Sequence, residues 1–308
     1  MIEVKELSRK YGEFKAVDDV SFQIEHGEVV GLLGHNGAGK TTIMKMLTGY
    51  LEPTTGTALI DGLEIGKDKQ KIQRKIGYLP ENCPLWSEMK VVDFLDFQAT
   101  LHGISENDKP QVIRNAISRT GLLEKADQAI NTLSRGYRQR VGVAQAILHK
   151  PKIIILDEPT NGLDPTQIRH MRSLIQELAQ EATVIISTHI LQEVQAVCKR
   201  VMILHSGKLV VDSNLEDLQN QDQLHLTIDK KGADILEKIP GVKDVNPLPI
   251  VNGKHSYIIN AAPDVAPVIT STLVNSQIKV YAIYPGKQDL ETVFAKVNSG
   301  ELVEEKTK

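Results

Sequence analysis

The stretch Val29 to Met46, VVGLLGHNGAGKTTIMKM, constrains the fold more than any other part of the chain. Val29, Val30, Leu32 and Leu33 form a short apolar run that predicts a buried strand. The run breaks at Gly34-His35-Asn36-Gly37-Ala38-Gly39-Lys40-Thr41, and the periodic segment from Thr42 to Leu47 predicts a helix directly after it. A strand, a G-x-x-x-x-G-K-T loop and a helix in that order are the context of a phosphate-binding loop. The chemistry needs these residue types. Glycines let the backbone curl so that successive N–H groups point into one concavity. The following helix presents its positive N-terminus to the anion. Lys40 reaches the outer phosphates, and the Thr41 hydroxyl can ligate Mg²⁺. The stretch therefore predicts a nucleotide site.

Length and charge narrow the rest. At 308 residues the chain is long for one core and short for three, which predicts two domains. A hydrophobic fraction of 41% and a charged fraction of 24% are those of an ordinary soluble globular protein. The formal net charge of −3 argues against a sequence-independent nucleic-acid binder, because no basic excess is available to neutralise phosphates. Cys83 and Cys198 are far apart and lack metal-ligand neighbours, so they are expected to be reduced thiols. The start MIEVKELSRK shows no apolar signal region, and runs such as Ile153-Ile154-Ile155-Leu156 are too short to cross a bilayer. Action at a membrane would need another chain.

Residues 2 to 25 alternate polar and apolar, which predicts antiparallel strands ahead of the loop. Tyr11, between them, could stack on a base or pack on the sheet edge. Ala58 to Gly62 predicts a strand with an Asp61-Gly62 turn, and Ile76 to Leu79 another, halted by Pro80. Glu81 follows that strand, either touching a metal or its water or lying solvated in the loop. From Val91 to Lys150 the pattern is helical. Within it, Ser134 or Gly136 starts a helix as a cap, and the same position could grip a phosphate. Ile153 to Leu156 reads as a buried parallel strand ending in Asp157 and Glu158, at the end of the strand where α/β sheets bind ligands. Asp157 there would hold Mg²⁺ and Glu158 would polarise the attacking water. His189 follows the apolar strand Thr183 to Ile186, as a structural or a site-facing residue.

Taken together, residues 1 to about 218 resemble the ATP-binding-cassette (ABC) ATPases, with the motifs in the family's order. Gly34 to Thr41, with Thr42, looks like the phosphate loop, and Ile153 to Glu158 like the second Walker motif with its catalytic glutamate. Asn161-Gly162-Leu163-Asp164 resembles the D-loop, His189 the switch histidine and Tyr11 the adenine-stacking aromatic. Leu133-Ser134-Arg135-Gly136-Tyr137 stands where the family carries L-S-G-G-Q. The resemblance implies a P-loop NTPase fold with a RecA-like core, an antiparallel β subdomain and a helical insert at about 87–150. It implies ATP and Mg²⁺ as cofactors, with Lys40, Glu158 and His189 catalytic. Thr41, Asp157 and Glu81 would hold the metal. The cassette would work as a dimer, with a homodimer the expected assembly and Ser134, Gly136 and Asp164 acting at a nucleotide shared between two subunits.

Two departures stand out. The signature has Arg135 for glycine and Tyr137 for glutamine, and Glu81 replaces the usual glutamine that links metal site and membrane partner. Both resemble the branch of gliding-motility-type and other ABC-2-type exporters. That implies separate membrane permease chains as partners, no nucleic acid, and a cytoplasmic, peripheral position on the inner face of the cell membrane. Leu85, Trp86 and Met89 would then rim the groove that receives a permease helix; otherwise Trp86 packs inside the helical insert. A soluble ABC ATPase acting on nucleic acid or ribosomes would be expected to show coiled-coil insertions, paired cassettes or basic arms, and none is visible.

Beyond the polar segment 219–223, expected as a linker, residues 224–298 predict a small α+β domain of order β-α-β-β-α-β, the ferredoxin-like pattern. Its helices are expected at Ala233 to Ile239 and around Val265 to Leu273, with a hairpin turn at Asn252-Gly253 and a last strand from Ile278 to Tyr284. Asp289 to Phe294 resembles a closing element common in ABC-2-type cassettes. The domain shows no acid–base pair, metal cluster or basic patch, so a regulatory or dimer-supporting role is expected. The tail 299–308 reads as charged and disordered.

Overall fold

A computed structural model describes residues 1–219, 223–251, 253–286 and 290–299. Residues 220–222 of the expected linker, Asn252 of the expected turn, Asp289 and the tail from 300 lie outside the described residues. The described residues form two compact units. One comprises Met1–Leu215 with the described residues from Lys296 on, and the other Glu216–Ala295.

The first unit opens with β1 (Ile2–Tyr11) and β2 (Phe14–Ile24), then β3 (Val29–Leu33) and α1 (Lys40–Leu47). There follow β4 (Thr55–Ile60), β5 (Leu63–Glu64), α2 (Lys69–Gln73) and β6 (Ile76–Leu79). The helical insert supplies α3 (Val91–Leu101), α4 (Lys109–Arg119) and α5 (Arg135–Ile147). Last come β7 (Ile153–Asp157), α6 (Pro165–Leu178), β8 (Thr183–Thr188), α7 (Leu191–Val197), β9 (Arg200–His205) and β10 (Lys208–Asn214), after which α8 (Leu215–Gln219) runs into the residues of the second unit.

Two sheets result. The antiparallel sheet runs β2-β1-β4-β5, and the six-stranded sheet runs β10-β9-β3-β8-β7-β6, parallel apart from its edge strand β10. Every residue of β3 and β7 is buried, because strands covered on both faces must be apolar throughout. On α1, Ile43, Met44, Met46 and Leu47 are buried in a core shared with both sheets. Full burial of each such side chain stabilises by about 1.5–3 kcal/mol, so the helix that follows the phosphate loop is fixed by its own apolar face. Register then positions the site. Leu33 pairs with Thr188, and Asp157 with Ser187. The carboxyl ends of β3, β8 and β7 therefore stand side by side, and the residues just beyond them converge.

The second unit contains β11 (Gln223–Ile228), α9 (Ala233–Leu236), β12 (Asp244–Pro247), β13 (His255–Asn260), α10 (Ala266–Asn275) and β14 (Val280–Pro285), with α11 (Leu290–Ser299) after them. Its antiparallel sheet has the order β12-β13-β11-β14, that of a split βαβ fold. Leu224, Leu226 and Ile228 alternate into a core with Tyr257, Ile269 and Leu273. Helix α9 is shorter than the periodicity implies. Pro240 disfavours helical geometry at the residue before it, and Val242 turns back to bond Ile239 O, which delays β12 to Asp244. Val251 and Lys254 exchange backbone hydrogen bonds across the hairpin end.

Candidate functional site

The phosphate loop leaves β3 at Leu33 and reaches α1 through Gly39, whose φ is 107°. A β-carbon there would lie 2.5 Å from Ala16 O, so backbone conformation and space both demand glycine. Helix α1 has no side-chain cap and no acidic residue in its first turn. Its leading N–H groups and the positive end of its dipole are thus left for an anion. Ala38 is buried, and its N–H donates to His35 O at 3.1 Å. Lys40, only 6% exposed, donates through Nζ to Gly34 O at 2.7 Å and His35 O at 3.2 Å. The ammonium group is held at the loop's own carbonyls, where a phosphate chain would replace them.

The two acids beyond β7 are held differently. Asp157 is fully buried; its Oδ1 accepts from Ser187 Oγ at 2.7 Å, while Oδ2 is buried with no partner. Glu158 has φ 50°, and its N–H donates to Ser187 O at 2.9 Å. A non-glycine residue in that region costs about 1–3 kcal/mol and persists where its surroundings fix it, often at functional sites. Its buried carboxylate lies 3.7 Å from Lys40 Nζ and 3.0 Å from His189 Nδ1. With the proton on Nδ1, the imidazole donates to the carboxylate. Adjacent strand ends have assembled a lysine, a carboxylate and a histidine in one contact chain, the groups needed to bind phosphate, take a proton from water and hold the base in place.

Lys40 and Glu158 open into a cleft of 300 Å³. Asn36, Gly37, Gly39, Lys40, Thr41, Thr42 and Glu158 line it, with Tyr11 and Glu81 at other walls. Phe14 lines it too and was not singled out from sequence. The signal that finds it is register: Phe14 stands directly opposite Tyr11 across the β1/β2 pair, and both rings are largely exposed. Arg9 covers one face of Tyr11 with its guanidinium 4.9 Å from the ring centre, leaving the other face for a base. Tyr11→Ala and Phe14→Ala are each expected to weaken ATP binding about 5- to 150-fold, since stacking on a base contributes about 1–3 kcal/mol. Binding of inorganic tripolyphosphate, which has no base, should be unchanged. Fluorescence titration of both ligands checks this.

A second cleft, of 520 Å³, shares Thr41 and Glu81 with the first and is also lined by Asp157. Tyr78, Gln145 and His149 line it, and each has a buried polar atom without a partner, as Asp157 does. His102 and His149 stack there with ring centres 3.9 Å apart. Burial pushes His149 down to about 4 and His102 below its ordinary value, so both are neutral at pH 7. Burial and the nearby Asp157 charge push the Tyr78 hydroxyl well above its ordinary range. Whether the residues suit Mg²⁺ turns on Asp157 Oδ2: a buried, unpartnered carboxylate oxygen on the cleft that Thr41 also lines is the oxygen donor this ion takes. Among the described residues no group of three or more His, Cys, Asp or Glu could hold a metal by itself. That fits an ion held by one or two protein oxygens and completed by phosphates and water.

Ser134, Gly136 and Asp164 line neither cleft. Ser134 caps α5, its Oγ accepting from Tyr137 N at 3.4 Å. Gly136 packs against the Gln167 side chain. Asp164 caps α6, accepting from the N–H groups of Thr166 and Gln167 at 2.9 Å each. Trp86 is 54% exposed and packs against Phe97 with centroids 4.6 Å apart and planes tilted by 31°, so it is a surface residue supported by α3. Both cysteines are free, and burial pushes each thiol up to about 12, which leaves them unreactive.

With this geometry in view, the family follows. Residues 17–161 match the ABC transporter family. The chain is 35% identical over 302 residues to the ABC transporter ATP-binding protein YxlF of Bacillus subtilis strain 168, across 96% of this chain and 99% of that protein. It is 37% identical to the bacitracin transport ATP-binding protein BcrA of Bacillus licheniformis, across 73% of this chain and 74% of that one. The dimeric post-hydrolysis structure of the cassette MJ0796, bound to ADP and Pi, superposes with a TM-score of 0.65 at 25% identity, covering 70% of this chain and 99% of that one. The chain belongs to the ABC transporter ATP-binding proteins, and it is an ATPase of that family. Among the described residues no helix is long and apolar enough to cross a membrane.

Proposed function

We propose that this chain is the ATP-hydrolysing subunit of an ABC-2-type exporter, working as a homodimer on separate permease chains at the inner face of the cell membrane. The observation that carries the reading is the division of the site. Lys40 and Glu158 line one cleft, with His189 bonded to Glu158, whereas Ser134 and Gly136 line no part of that cleft. A γ-phosphate contact from the signature turn must then come from a second subunit, and the MJ0796 cassette is a dimer. ATP and Mg²⁺ would be the ligands; Thr41 and Asp157, with Glu81 at the rim, would hold the ion, which would supply charge stabilisation to the phosphates. Glu158 takes the proton from the attacking water, His189 orients it, and Lys40 binds the outer phosphates. Loss of the phosphate cross-link then lets the dimer relax, which converts hydrolysis into motion.

The exporter branch is supported by the bacitracin transport relative and by Glu81, Arg135 and Tyr137, which replace the residues usual in the family. Glu81 belongs to both clefts, so one side chain faces the nucleotide and the wider opening between core and insert. In this reading a permease helix enters beside Trp86, whose exposed ring is the anchor. The test is purification of the tagged chain from membranes in mild detergent. A multi-spanning membrane protein should co-purify, and Trp86→Ala should release it while ATPase of the isolated subunit stays near normal. Interface anchors cost about 2 kcal/mol or more when truncated, a 30-fold loss of affinity. Recovery of ribosomes or nucleic acid in place of a membrane protein overturns the reading.

A further inference from the structure

Arg135 occupies an unfavourable place for a cation. It is the first residue of the 13-residue helix α5, at the positive end of the dipole, where a like charge is disfavoured by about 0.3–1 kcal/mol. Its side chain is nevertheless exposed and lies over Gly162. A β-carbon built on Gly162 would lie 2.5 Å from Arg135 Cζ, 2.6 Å from Nη1 and 2.8 Å from Nε. Three guanidinium atoms at nearly equal distance mean that the plane of the group faces the glycine. Gly162 has φ 73°, so backbone conformation disfavours a side chain there, and one would push the guanidinium aside.

Gly162 lies in the short connection that begins at Glu158. Asn161 N donates to Glu158 O at 3.2 Å, and Leu163 N to Thr160 O at 3.2 Å, so two tight turns lead from the carboxylate residue to the glycine. The connection ends at Asp164, which caps α6 in a reciprocal box with Gln167. Gln167 in turn packs on Gly136. The first turn of α5 therefore contacts the C-terminal part of this connection and the helix it leads into, through Arg135 on Gly162 and Gly136 on Gln167.

We infer that Arg135 is a positioning residue: by stacking on Gly162 it fixes the Glu158–Asp164 loop to the turn that carries Ser134. Nucleotide bound by the partner subunit at that turn is thereby felt at this subunit's own Glu158. The inference rests on the dimer reading above. It makes the two sites interdependent through a planar contact within each chain, a coupling of the kind that typically amounts to about 5- to 150-fold between sites. Charge alone would not do this. A lysine at the position keeps the cation and lacks the plane.

The experiment compares the wild type with Arg135→Ala, Arg135→Lys, Gly162→Ala and the Arg135→Ala/Gly162→Ala double variant. The readouts are ATPase against ATP concentration, binding of a fluorescent ATP analogue at concentrations where the chain is monomeric, and the thermal midpoint. The wild type should show a Hill coefficient above 1. Arg135→Ala should bring it to 1 and lower turnover about 5-fold or more, with monomer nucleotide affinity and thermal midpoint unchanged. Arg135→Lys should not restore it, and the double variant should be no worse than the singles because both remove one contact. If Gly162→Ala fails to fold, the comparison of Arg135→Ala with Arg135→Lys decides. Full rescue by lysine, additive losses, or a cooperative Arg135→Ala overturns the inference. A wild type that is non-cooperative, and whose Glu158→Gln variant stays monomeric with ATP, overturns the dimer reading and the inference with it.

Discussion

Glu158→Gln is expected to bind ATP as the wild type does and to lose about 10²–10⁴-fold in turnover, the contribution of a positioned general base. The substitution keeps the size of the side chain and removes its ability to accept a proton. His189 Nδ1 can still donate to the amide oxygen, so the local arrangement at 3.0 Å should survive. Lys40 keeps its bonds to Gly34 O and His35 O, and the phosphate loop is untouched. Binding and chemistry should therefore separate. Because hydrolysis is what dissolves the ATP cross-link, the variant should also accumulate as an ATP-bound dimer. Single-turnover hydrolysis and size-exclusion chromatography with and without ATP measure both effects. Normal turnover in the variant, or hydrolysis independent of chain concentration through the dimerisation range, would count against the scheme.

The Mg²⁺ requirement gives the second large effect. Asp157 Oδ2 is a fully buried carboxylate oxygen with no protein partner, and leaving such an atom unpaired costs about 1–3 kcal/mol or more. Asp157→Asn keeps the shape and the bond to Ser187, and removes the charge facing the cleft. Half-maximal ATPase should then need about 100-fold more Mg²⁺, the upper end of what supporting residues cost at other metal sites. Glu81→Gln should raise that requirement by only about 10-fold, since Glu81 is exposed and remains able to offer one oxygen. Mg²⁺ titrations of ATPase and of fluorescent-nucleotide binding separate metal affinity from chemistry. Superimposable curves for wild type and Asp157→Asn would remove Asp157 from the metal site. The same result for Glu81→Gln would make Glu81 a loop acid. The apo protein should also tolerate Asp157→Asn, with an unchanged or raised thermal midpoint, because the substitution relieves an uncompensated buried charge.

The local arrangement of the phosphate loop was legible in the chain itself. Val29 to Leu33 is apolar on both faces, and a strand covered on both sides admits nothing else. Gly39 needs a positive φ beside Ala16 O, and the G-x-x-x-x-G-K-T spacing places Lys40 and Thr41 directly after it. The run Ile153 to Glu158 was legible for the same reason, and so was the alternation of Leu224, Leu226 and Ile228 that predicts a second small sheet. Such features depend on residues within one turn or one strand, where spacing and chemistry decide together.

What tertiary structure alone decided is which of these residues touch one another. Lys40, Glu158 and His189 meet because β8 lies between β3 and β7, and strand order is a property of the packed sheet. Phe14 gains its place only from pairing opposite Tyr11, and His102 and His149 stack only once α3 and α5 pack together. The end of α9 was set by Pro240 and by Val242 turning back to Ile239, a local competition that apolar periodicity does not register. Arg135 is the clearest case. As a letter in the sequence it is a departure from a motif; in the fold its planar group lies on a glycine beside the loop from Glu158. Sequence spacing fixes what each segment can be, because that depends on neighbours along the chain. Contacts between segments depend on the sheet order and side-chain packing that only the folded chain supplies.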